Sequence, residues 1–444
     1  MRKEKISGWG RNSLLEANIL EYNGLDLQKN FKYLPITARG LGRSYGDSSL
    51  GKNVIQSNKL NHLVSFDCKN GVLESESGVC LDEIIKIFVP KGWFPPVTPG
   101  TRFVTIGGML ASDVHGKNHH RVGSFSNHVS GFSLLTADQS IRWITKETEP
   151  ELFFATAGGM GLTGLILSVR FQMIPIQTSW IKQQIYKISN LDELLSQFDA
   201  TNKSNYSVAW VDCLAKGKNI GRSLLMLGEH AKYDELNLLQ IKKNKFQQTR
   251  ELCIPFNFPT FAINKWSVSA FNALYYNRIR NDHNTSTIQL VNFFYPLDVV
   301  QDWNRIYGNR GFYQYQCVLP KLPDGALALK EILTKIADAG SGSFLAVIKL
   351  FGKEDPPYLA FANEGYTLAL DFPYDKGNTH LFEILDKVVK TAGGRLYLTK
   401  DARMSKKFFQ ESYPKLPLFM KIKKQIDPYN YFTSLQAQRL GIIS

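Results

Sequence analysis

Cysteine is scarce in this sequence of 444 residues, and its five cysteines lie far apart: Cys68, Cys80, Cys213, Cys253 and Cys317. Their number is odd, and no two of them have the C-x-x-C spacing. This pattern argues against a disulfide framework and against a zinc ribbon. We therefore expect reduced thiols, most of them buried.

Long apolar runs are also missing. No stretch approaches the roughly 18 apolar residues that a membrane-spanning helix needs. The N-terminal segment "MRKEKISGWGRNSLLEANIL" is basic but lacks the apolar core of a signal peptide. We expect a soluble or peripheral protein of the cytoplasm. Internal repeats and low-complexity tracts are absent as well.

Acidic residues are fewer than basic ones, 39 against 53, and the net charge is +14. An excess of cations favours an anionic partner, such as a phosphorylated substrate, an acidic membrane surface or nucleic acid. The charge is dispersed, and its densest clusters, "QIKKNKFQQTR" and "FMKIKKQ", are short. A nucleic-acid interface is more concentrated, so no nucleic-acid partner is expected. A basic protein that binds nucleic acid or a membrane surface without catalysis remains the alternative to an enzyme.

The length allows two or three domains with ample core. Up to Pro175 the sequence alternates short strands and glycine-rich turns, with a helix expected in "LDEIIKIFVPKG". From about 179 to 394, aromatic-rich strands alternate with amphipathic helices, and β-α-β units are expected at 312–351 and 366–400. This pattern predicts an α+β fold with helices on one face of a sheet.

The stretch "RGLGRSYGDSS" places Gly40, Gly42 and Gly46 in a G-x-G-x-x-x-G pattern, one residue longer than the dinucleotide fingerprint. A turn and a short strand follow it instead of the helix that a Rossmann site needs. Successive N–H groups of a glycine-rich turn can still bind an anion. The stretch is therefore either a tight solvent turn or a phosphate-binding loop of another fold.

Four of the eight histidines, His115, His119, His120 and His128, fall in "VHGKNHHRVGSFSNH". A zinc site would need two histidines on one helix, and Gly116 makes a helix here unfavourable. Polar loop histidines bonded to backbone are the better interpretation, and no metal is expected.

Three further features are ambiguous from their local pattern. Gln314 and Gln316 alternate on one face of an apolar strand, which predicts either a polar ligand pocket or a side-chain network. Lys349 in "LAVIKLFG" either extends to solvent or meets an anion in a pocket. Lys400, beside Asp401 and Arg403, locally suggests a surface ion pair.

Thirteen short segments, in order, resemble the flavin oxidoreductases of the vanillyl-alcohol oxidase and p-cresol methylhydroxylase type, and within them the decaprenylphosphoryl-β-D-ribose 2′-oxidases. They are "GWGR", "ARGLGRSYGD", "PGTRFVTIGG", "HGKNHH", "GSFSNHV", "LLTAD", "GLTGLI", "GFYQYQ", "KLFG", "LDFP", "GGRLY", "KDAR" and "DPYNYF". The resemblance implies a PCMH-type FAD-binding domain at 1–178, a substrate-binding α+β domain at 179–394, and a C-terminal segment, 395–444, that returns to the FAD domain.

By this resemblance the glycine-rich loop holds the FAD pyrophosphate, and later segments line the rest of the cofactor. The implied cofactor residues are Arg39, Gly40, Leu41, Gly42, Arg43, Ser44, Tyr45, Gly46, Asp47, Ser48, Gly100, Thr105, Ile106, Gly107, Gly108, Ser112, Asp113, Val114, His115, Ile166 and Tyr397. Relatives that tether flavin covalently carry a histidine where Arg43 stands here. The resemblance therefore implies non-covalent FAD.

The implied chemistry is oxidation of a secondary sugar hydroxyl by hydride transfer to the flavin. Lys400 matches the active-site lysine, which would stabilise developing negative charge, and His115 is the candidate base or hydroxyl-positioning group. The pocket residues implied for the substrate are Tyr45, Trp210, Phe294, Gln314, Gln316 and Lys349, with Lys349 near a phosphate. A separate NAD(P)H-dependent keto-sugar reductase is implied as partner, which gives net epimerisation of ribose to arabinose.

Three positions depart from the actinobacterial members of that family. Ala369 replaces a cysteine, Thr367 an asparagine and Phe294 a tyrosine. An alditol or aldonolactone oxidase of the same fold is therefore the nearest alternative, and a metal-dependent hydrolase built on the histidines is a more distant one. Lys349 and the positive charge favour an anionic, phosphorylated or lipid-linked sugar and peripheral contact with a membrane.

Overall fold

The computed structural model describes residues 2–22, 34–242, 252–259, 263–353 and 357–443. Its strands are β1 (Arg2–Ser7), β2 (Leu14–Glu21), β3 (Thr37–Arg39), β4 (Asn53–Gln56), β5 (Leu63–Asp67), β6 (Val72–Glu76), β7 (Trp93–Phe94), β8 (Val129–Leu135), β9 (Ile141–Ile144), β10 (Leu165–Gln172), β11 (Ile174–Pro175), β12 (Trp180–Ile188), β13 (Tyr206–Val211), β14 (Ser223–His230), β15 (Leu252–Cys253), β16 (His283–Gln289), β17 (Val300–Gln301), β18 (Phe312–Pro320), β19 (Ala346–Phe351), β20 (Gly365–Pro373) and β21 (Arg395–Leu396).

The helices lie between these strands and after the last of them. They are α1 (Leu81–Phe88), α2 (Ile106–Ala111), α3 (His119–Val122), α4 (Pro150–Thr156), α5 (Leu191–Ala200), α6 (Leu238–Lys242), α7 (Lys265–Asn277), α8 (Leu290–Phe294), α9 (Gly325–Ala339), α10 (Lys376–Thr391), α11 (Lys406–Ser412), α12 (Leu416–Ile426) and α13 (Leu435–Arg439). None of the helices in the described residues is long and apolar enough to cross a membrane.

Two larger sheets and a two-stranded one, β7 with β11, form the N-terminal part among the described residues. One of the larger sheets is mixed, with strand order β1-β2-β4-β3, and the other is antiparallel, with order β5-β6-β10-β8-β9. The glycine-rich loop follows β3 and leads into β4, as the sequence predicted. Helix α1 forms as expected because Ile84, Ile85 and Phe88 share one buried face.

An antiparallel sheet of eight strands, in the order β16-β12-β14-β13-β19-β20-β18-β21, forms the rest of the fold. Both predicted β-α-β units are present, and they are interleaved. Strands β18 and β19 are both antiparallel to β20, which lies between them, and β20 and β21 are both antiparallel to β18. The two strands of each β-α-β unit are therefore separated in the sheet by one strand of the other unit: β20 lies between β18 and β19, and β18 lies between β20 and β21.

Helices α5, α9 and α10 cover one face of this large sheet. They bury apolar side chains such as Leu194, Leu329 and Phe382 in the main hydrophobic core. The other face is turned toward the glycine-rich loops. The α+β class and the helices on one sheet face are confirmed, and the division at residues 178 and 394 stays a prediction.

The chain after β21 contacts the N-terminal sheets. Ile36 forms a parallel bridge with Phe432, and α12 packs on α4. Arg439 in α13 donates to both carboxylate oxygens of Asp47, at 2.9 and 2.8 Å, and to Asp401 at 2.8 Å. These contacts hold the loop after β3 against the C-terminal helices.

All five cysteines are free thiols, as expected, but the expectation that most are buried is wrong. Cys213 and Cys317 are buried, Cys80 is intermediate, and Cys68 and Cys253 are exposed. The two exposed cysteines lie at the end of a hairpin strand and on a short edge strand, where side chains meet no second layer.

Candidate functional site

A cavity of about 710 Å³ lies between the open face of the eight-stranded sheet and the N-terminal glycine-rich loops. Alternate residues of the sheet strands form its floor, because side chains on a strand alternate between the two faces. Gln314 and Gln316 of β18, Trp210 of β13 and Lys349 of β19 all lie on this face. The substrate and cofactor residues implied by the sequence resemblance thus share one cavity.

The glycine-rich loop presents unused backbone donors to this cavity. The N–H groups of residues 41–44 donate to no acceptor among the described residues, and the buried Ser48 hydroxyl likewise has no partner there. Gly46 lets the loop pack closely, since a Cβ atom there would lie 2.0 Å from the carbonyl oxygen of Asp401. A row of free N–H groups on a tightly held turn is suited to an anion.

Two arginines serve this loop in different ways. The Arg39 guanidinium donates to the backbone oxygens of Ser7 (2.8 Å) and Ser49 (3.3 Å) and thereby holds the loop. The Arg43 guanidinium lies 4.1 Å from the centre of the Trp9 ring and donates no hydrogen bond within the described residues. Burial lowers the pKa of Arg43, and Asp298 opposes this effect. Arg43 is therefore a cation available to a bound anion.

The segment after the proline-rich turn forms a second wall. Thr105 caps α2 by accepting from the Gly108 N–H at 3.2 Å. A Cβ atom on Gly107 would lie 2.7 Å from Cβ of Ser77, so only glycine lets these two segments meet. The buried Ser77 hydroxyl lines the cavity and has no partner among the described residues.

These features fit a dinucleotide such as FAD. The free N–H groups of residues 41–44 and the Arg43 guanidinium would take its pyrophosphate, and the Ser77 wall would meet its uncharged part. The fit rests on unpaired donors that line the cavity, and two of them, the Ser48 and Ser77 hydroxyls, are buried, where leaving them unpaired costs free energy.

The clustered histidines have separate partners. The His119 ring accepts from the Gly352 N–H at 3.2 Å, His120 lies 2.8 Å from the carbonyl oxygen of Ser204, and His128 lies 3.2 Å from that of Val122. The prediction that these three histidines bond to backbone is confirmed, but His119 and His120 lie in the short helix α3 and not in a loop, because the chain turns helical directly after Asn118. Within the described residues, no three His, Cys, Asp or Glu side chains are grouped to hold a metal ion.

The two amides of β18 form a network and also line the cavity. Gln314 donates to the buried Asp371 carboxylate at 2.6 Å and lies 3.4 Å from the Tyr45 hydroxyl. Gln316 lies 3.1 Å from Nε2 of His115 and 3.4 Å from the Thr367 hydroxyl. The sequence left a pocket and a network as alternatives, and the structure contains both.

Three lysines face this cavity: Lys117, Lys349 and Lys400. Burial lowers the pKa of Lys117 to about 7, that of Lys349 to about 8 and that of Lys400 to about 7. The positive charge of Lys349 contributes to the lowered pKa of Lys117 and of Lys400, whereas the Asp371 carboxylate acts to raise the pKa of Lys400. Neither Lys349 nor Lys400 donates a hydrogen bond to a described residue, and the Lys400 amine lies 3.7 Å from the centre of the Tyr45 ring.

The surface ion pair suggested by the sequence around Lys400 does not form. Asp401 pairs with Arg439, and Arg403 pairs with Asp386 at 2.8 Å. Lys400 turns the other way, into the cavity. Lys349 likewise takes the pocket alternative rather than the solvent one.

His115, the candidate base or hydroxyl-positioning group, is buried. Burial lowers the pKa of His115 well below 6.5, and Lys349, His119 and Lys400 add to this effect. The ring is therefore neutral at neutral pH. Because the Gln316 amide donates to Nε2, the proton sits on Nδ1, which has no partner among the described residues.

Asp371 is a further buried titratable group that the sequence resemblance did not single out. Burial raises the pKa of this carboxyl to about 7, against the opposing influence of Gln314 and Lys400. Its only signal in the sequence is its place in "LDFP", two residues after Ala369 on the same strand.

Most residues implied for the site line the cavity, but four cofactor residues do not: Gly46, Asp47, Ile106 and Asp113. Gly46 and Asp47 hold the loop against Asp401 and Arg439, and Ile106 is fully buried in the core. Asp113 accepts from the Ser126 N–H at 3.1 Å. These four residues do not face the cavity and instead pack behind the residues that line it.

The sequence analysis missed several residues that line the cavity, among them Lys117, Tyr275, Arg278, Asp298 and Trp303. Lys117 lies inside the segment "HGKNHH", so its neighbours were a usable signal. The others come from stretches with no chemical pattern, and they reach the site only because α7 and the residues around β17 fold over the sheet.

Comparison with known proteins agrees with this geometry. The FAD binding domain family matches residues 29–145, and the D-arabinono-1,4-lactone oxidase family matches residues 324–440. The decaprenylphosphoryl-β-D-ribose oxidase of Mycolicibacterium smegmatis is 36% identical over 453 aligned residues, which cover 99% of this chain and 98% of that protein.

Two more distant relatives are similar over less of the chain. An uncharacterized protein of Streptomyces coelicolor is 31% identical over 82% of this chain and over its own full length. The human Δ24-sterol reductase is 22% identical over 31% of this chain and 26% of its own.

Proposed function

Because this chain belongs to the decaprenylphosphoryl-β-D-ribose oxidase family of FAD-dependent oxidoreductases, we propose that it oxidises the 2′-hydroxyl of a polyprenyl-phosphate-linked pentose to a keto-sugar. The relative from Mycolicibacterium smegmatis carries that substrate in its name, and its alignment reaches nearly end to end. The proposed substrate combines a sugar ring, a phosphate and an apolar tail.

The observation that carries the proposal is the group of three lysine amines in one cavity. Lys349 repels both Lys117 and Lys400, and burial makes the positive charge of all three costly, although Lys117 also donates to the backbone oxygens of Phe293 and Phe294. An anion bound among them would remove both penalties. A phosphorylated sugar meets this requirement, whereas a neutral sugar does not.

The chain's own residues would position the sugar. Gln314 and Gln316 offer amide groups on the cavity floor, Tyr45 offers a hydroxyl, and Trp210 and Phe294 offer aromatic faces. Their hydrogen bonds to Asp371 and His115 fix the two amides before substrate arrives. Fixed groups lose little entropy on binding, which favours one orientation of the reacting carbon.

Bound FAD supplies the two-electron acceptor for the hydride that leaves the sugar carbon. In the protonated state, the Lys400 ammonium would stabilise negative charge that develops beside it in the dry cavity. The neutral His115 ring would position the sugar hydroxyl by donating from Nδ1, or would accept the hydroxyl proton at Nε2 once the Gln316 amide leaves that nitrogen. Lys349 would hold the phosphate.

The proposed product is a keto-sugar that still bears its phosphate and lipid. A separate NAD(P)H-dependent reductase would reduce that ketone on the opposite face and complete the epimerisation of ribose to arabinose. A lipid-linked substrate also implies that the protein works at a membrane surface, as a peripheral protein.

The second candidate is an oxidase of free alditols or aldonolactones, which the D-arabinono-1,4-lactone oxidase match over residues 324–440 favours. The two candidates differ in the role of the phosphate. An alditol oxidase would use a neutral substrate, and the cluster of lysines would then have no ligand.

The test compares Lys349→Gln with Lys353→Gln in a flavin-reduction assay. The substrate is a pentose phosphodiester with a short prenyl chain. Loss of a buried charge partner should raise KM by roughly 10- to 100-fold with little change in kcat, since Lys349 would bind the ground state and transition state alike. Lys353 is exposed and should behave as wild type.

The unmodified protein should also reduce its flavin far more slowly with free ribose or alditols than with the phosphodiester. Equal rates with both kinds of substrate, or an unchanged KM in Lys349→Gln, would contradict the proposal.

A further inference from the structure

Exposed apolar side chains concentrate in one stretch of the sequence. Of the 21 large apolar side chains that are exposed among the described residues, nine lie between Tyr233 and Leu274. The most exposed of these is Trp266, at 81%. Leu274, which lies on the same helix, is 76% exposed. An exposed tryptophan is uncommon on a surface that only meets water.

Helix α7 carries apolar residues on two faces. Its inner face is held by Val268, which is buried, by Asn272, which donates to Asp212 at 2.8 Å, and by Tyr275, whose ring lies 4.6 Å from that of Trp210. Trp266, Ala270 and Leu274 follow one another at intervals of four residues and form its outer face. The inner face explains why α7 stays on the sheet, but nothing in that packing requires an apolar outer face.

The C-terminal end of α7 adjoins an opening of the cavity. The lining residues Arg278, Pro296 and Gln301 are themselves exposed, so the cavity reaches the surface between the end of α7 and β17. Strand β15 pairs with β17 on the opposite rim. Leu252 in β15 and Phe256 just after it are 65% and 62% exposed. Apolar side chains therefore flank the opening on both sides.

The charges around this surface are positive. From Asn264 to Asp282 the chain contains three basic residues, Lys265, Arg278 and Arg280, and one acidic residue, Asp282, at its end. On the other rim, the Asp302 carboxylate is paired with Arg305 at 3.1 Å. Aromatic and aliphatic side chains flanked by cations are the composition of an interfacial helix that binds anionic lipid.

We propose that the outer face of α7, with Leu252 and Phe256 on the opposite rim, docks the protein onto an anionic lipid bilayer. Trp266 and Leu274 enter the headgroup region, and Lys265, Arg278 and Arg280 contact lipid phosphates. The opening of the cavity then faces the bilayer, so a lipid-linked sugar can enter while its tail stays in lipid. This last point rests on the proposed function, whereas the docking itself does not.

The test is flotation of the FAD-loaded protein with vesicles. We expect it to float with equimolar phosphatidylcholine and phosphatidylglycerol, to float less with phosphatidylcholine alone, and to be released by high salt. Trp266→Ser/Leu274→Ser should reduce the bound fraction about 10-fold or more, because two large apolar groups no longer enter the interface.

The matched control is Leu327→Ser, which also removes an exposed leucine from a helix, at 69% exposure. Leu327 lies at the start of α9, whereas Gly340, past the far end of that helix, is the part that approaches Lys265. The control should float as wild type does. An unbound wild-type protein, or a Trp266→Ser/Leu274→Ser variant that floats equally well, would overturn the docking proposal.

A second readout separates docking from function. Flavin reduction by a water-soluble, short-chain pentose phosphodiester should be the same in the wild type and in Trp266→Ser/Leu274→Ser, which also shows that the variant is folded. If wild-type protein floats through α7 but its flavin is not reduced, the docking proposal stands and the proposed function fails.

Discussion

Lys400 takes its chemistry from distant residues rather than from its sequence neighbours. Asp401 and Arg403, which flank it, are committed to Arg439 and Asp386. The groups that set its pKa are the surrounding buried atoms, Asp371 on β20 and Lys349 on β19. Burial lowers this pKa from its ordinary value of 10.5 to about 7, so the amine changes charge near neutral pH.

Asp371→Asn should therefore change the pH dependence of flavin reduction. Lys400 is protonated below its pKa, so a rate that needs the ammonium falls as pH rises through about 7. Without the carboxylate, which raises that pKa, the fall should begin at lower pH. We expect a rate at pH 8 that is roughly threefold or more below that of wild type in single-turnover stopped-flow experiments.

Asparagine keeps an oxygen that can accept from Gln314, so the network around Tyr45 should survive this change. Asp338→Asn, which alters an exposed carboxylate on α9, is the control and should leave the profile as it is. Superimposable pH profiles for Asp371→Asn and wild type would show that Asp371 does not act through Lys400.

At the scale of elements, α13 and the glycine-rich loop depend on one another. The Arg439 guanidinium bridges Asp47 in the loop and Asp401 after β21, and burial and these hydrogen bonds leave little of either carboxylate to solvent. The backbone adds to this contact, because the Leu435 N–H donates to the Leu50 oxygen at 2.8 Å. The C-terminal helices thus hold the loop that presents free N–H groups to the cavity.

Arg439→Met should lower the free energy of unfolding by about 3 kcal/mol, because it leaves two largely buried carboxylates without their partner. The measurement is urea denaturation of the FAD-loaded protein, together with the affinity for FAD, which should also weaken. Lys182→Met breaks the exposed pair with Glu235 and should leave the free energy of unfolding nearly unchanged, because water screens that pair. Similar losses for both variants would contradict a special role for Arg439.

At the scale of the whole molecule, the cavity is assembled from both ends and the middle of the chain. Arg43 comes from the N-terminal part of the chain, and Arg278, directly after α7, comes from its middle. Lys349 and Lys400 come from the C-terminal part. Excess positive charge appears both inside this cavity and at its proposed membrane face. One charge imbalance would therefore serve both the proposed substrate phosphate and the proposed lipid surface.

FAD should be released intact when the protein is precipitated with acid. Arg43 stands where relatives with tethered flavin carry histidine, and its guanidinium lies against Trp9. The visible absorption of FAD should move to the supernatant. A protein of the same fold that carries covalently bound flavin provides the control. Yellow colour retained in the pellet would show a covalent bond formed elsewhere.

The sequence by itself determined the local structure and the family. Strand alternation and the buried face of α1 are properties of short segments, so they could be predicted from residue patterns. The thirteen ordered segments then carried the α+β class, the FAD cofactor and most of the cavity-lining residues.

Long-range packing decided the order of the strands in the large sheet and the surroundings of the cavity side chains. The interleaving of the two β-α-β units depends on pairing between strands far apart in sequence, which no local pattern encodes. Remote segments bury Lys349 and Lys400 without hydrogen-bond partners among the described residues. They also lower the pKa of His115 and bring Asp371 close to Lys400. Local patterns at Lys400 and Lys349 were ambiguous for the same reason: the charge and neighbours of a side chain are fixed only when the cavity around it has formed.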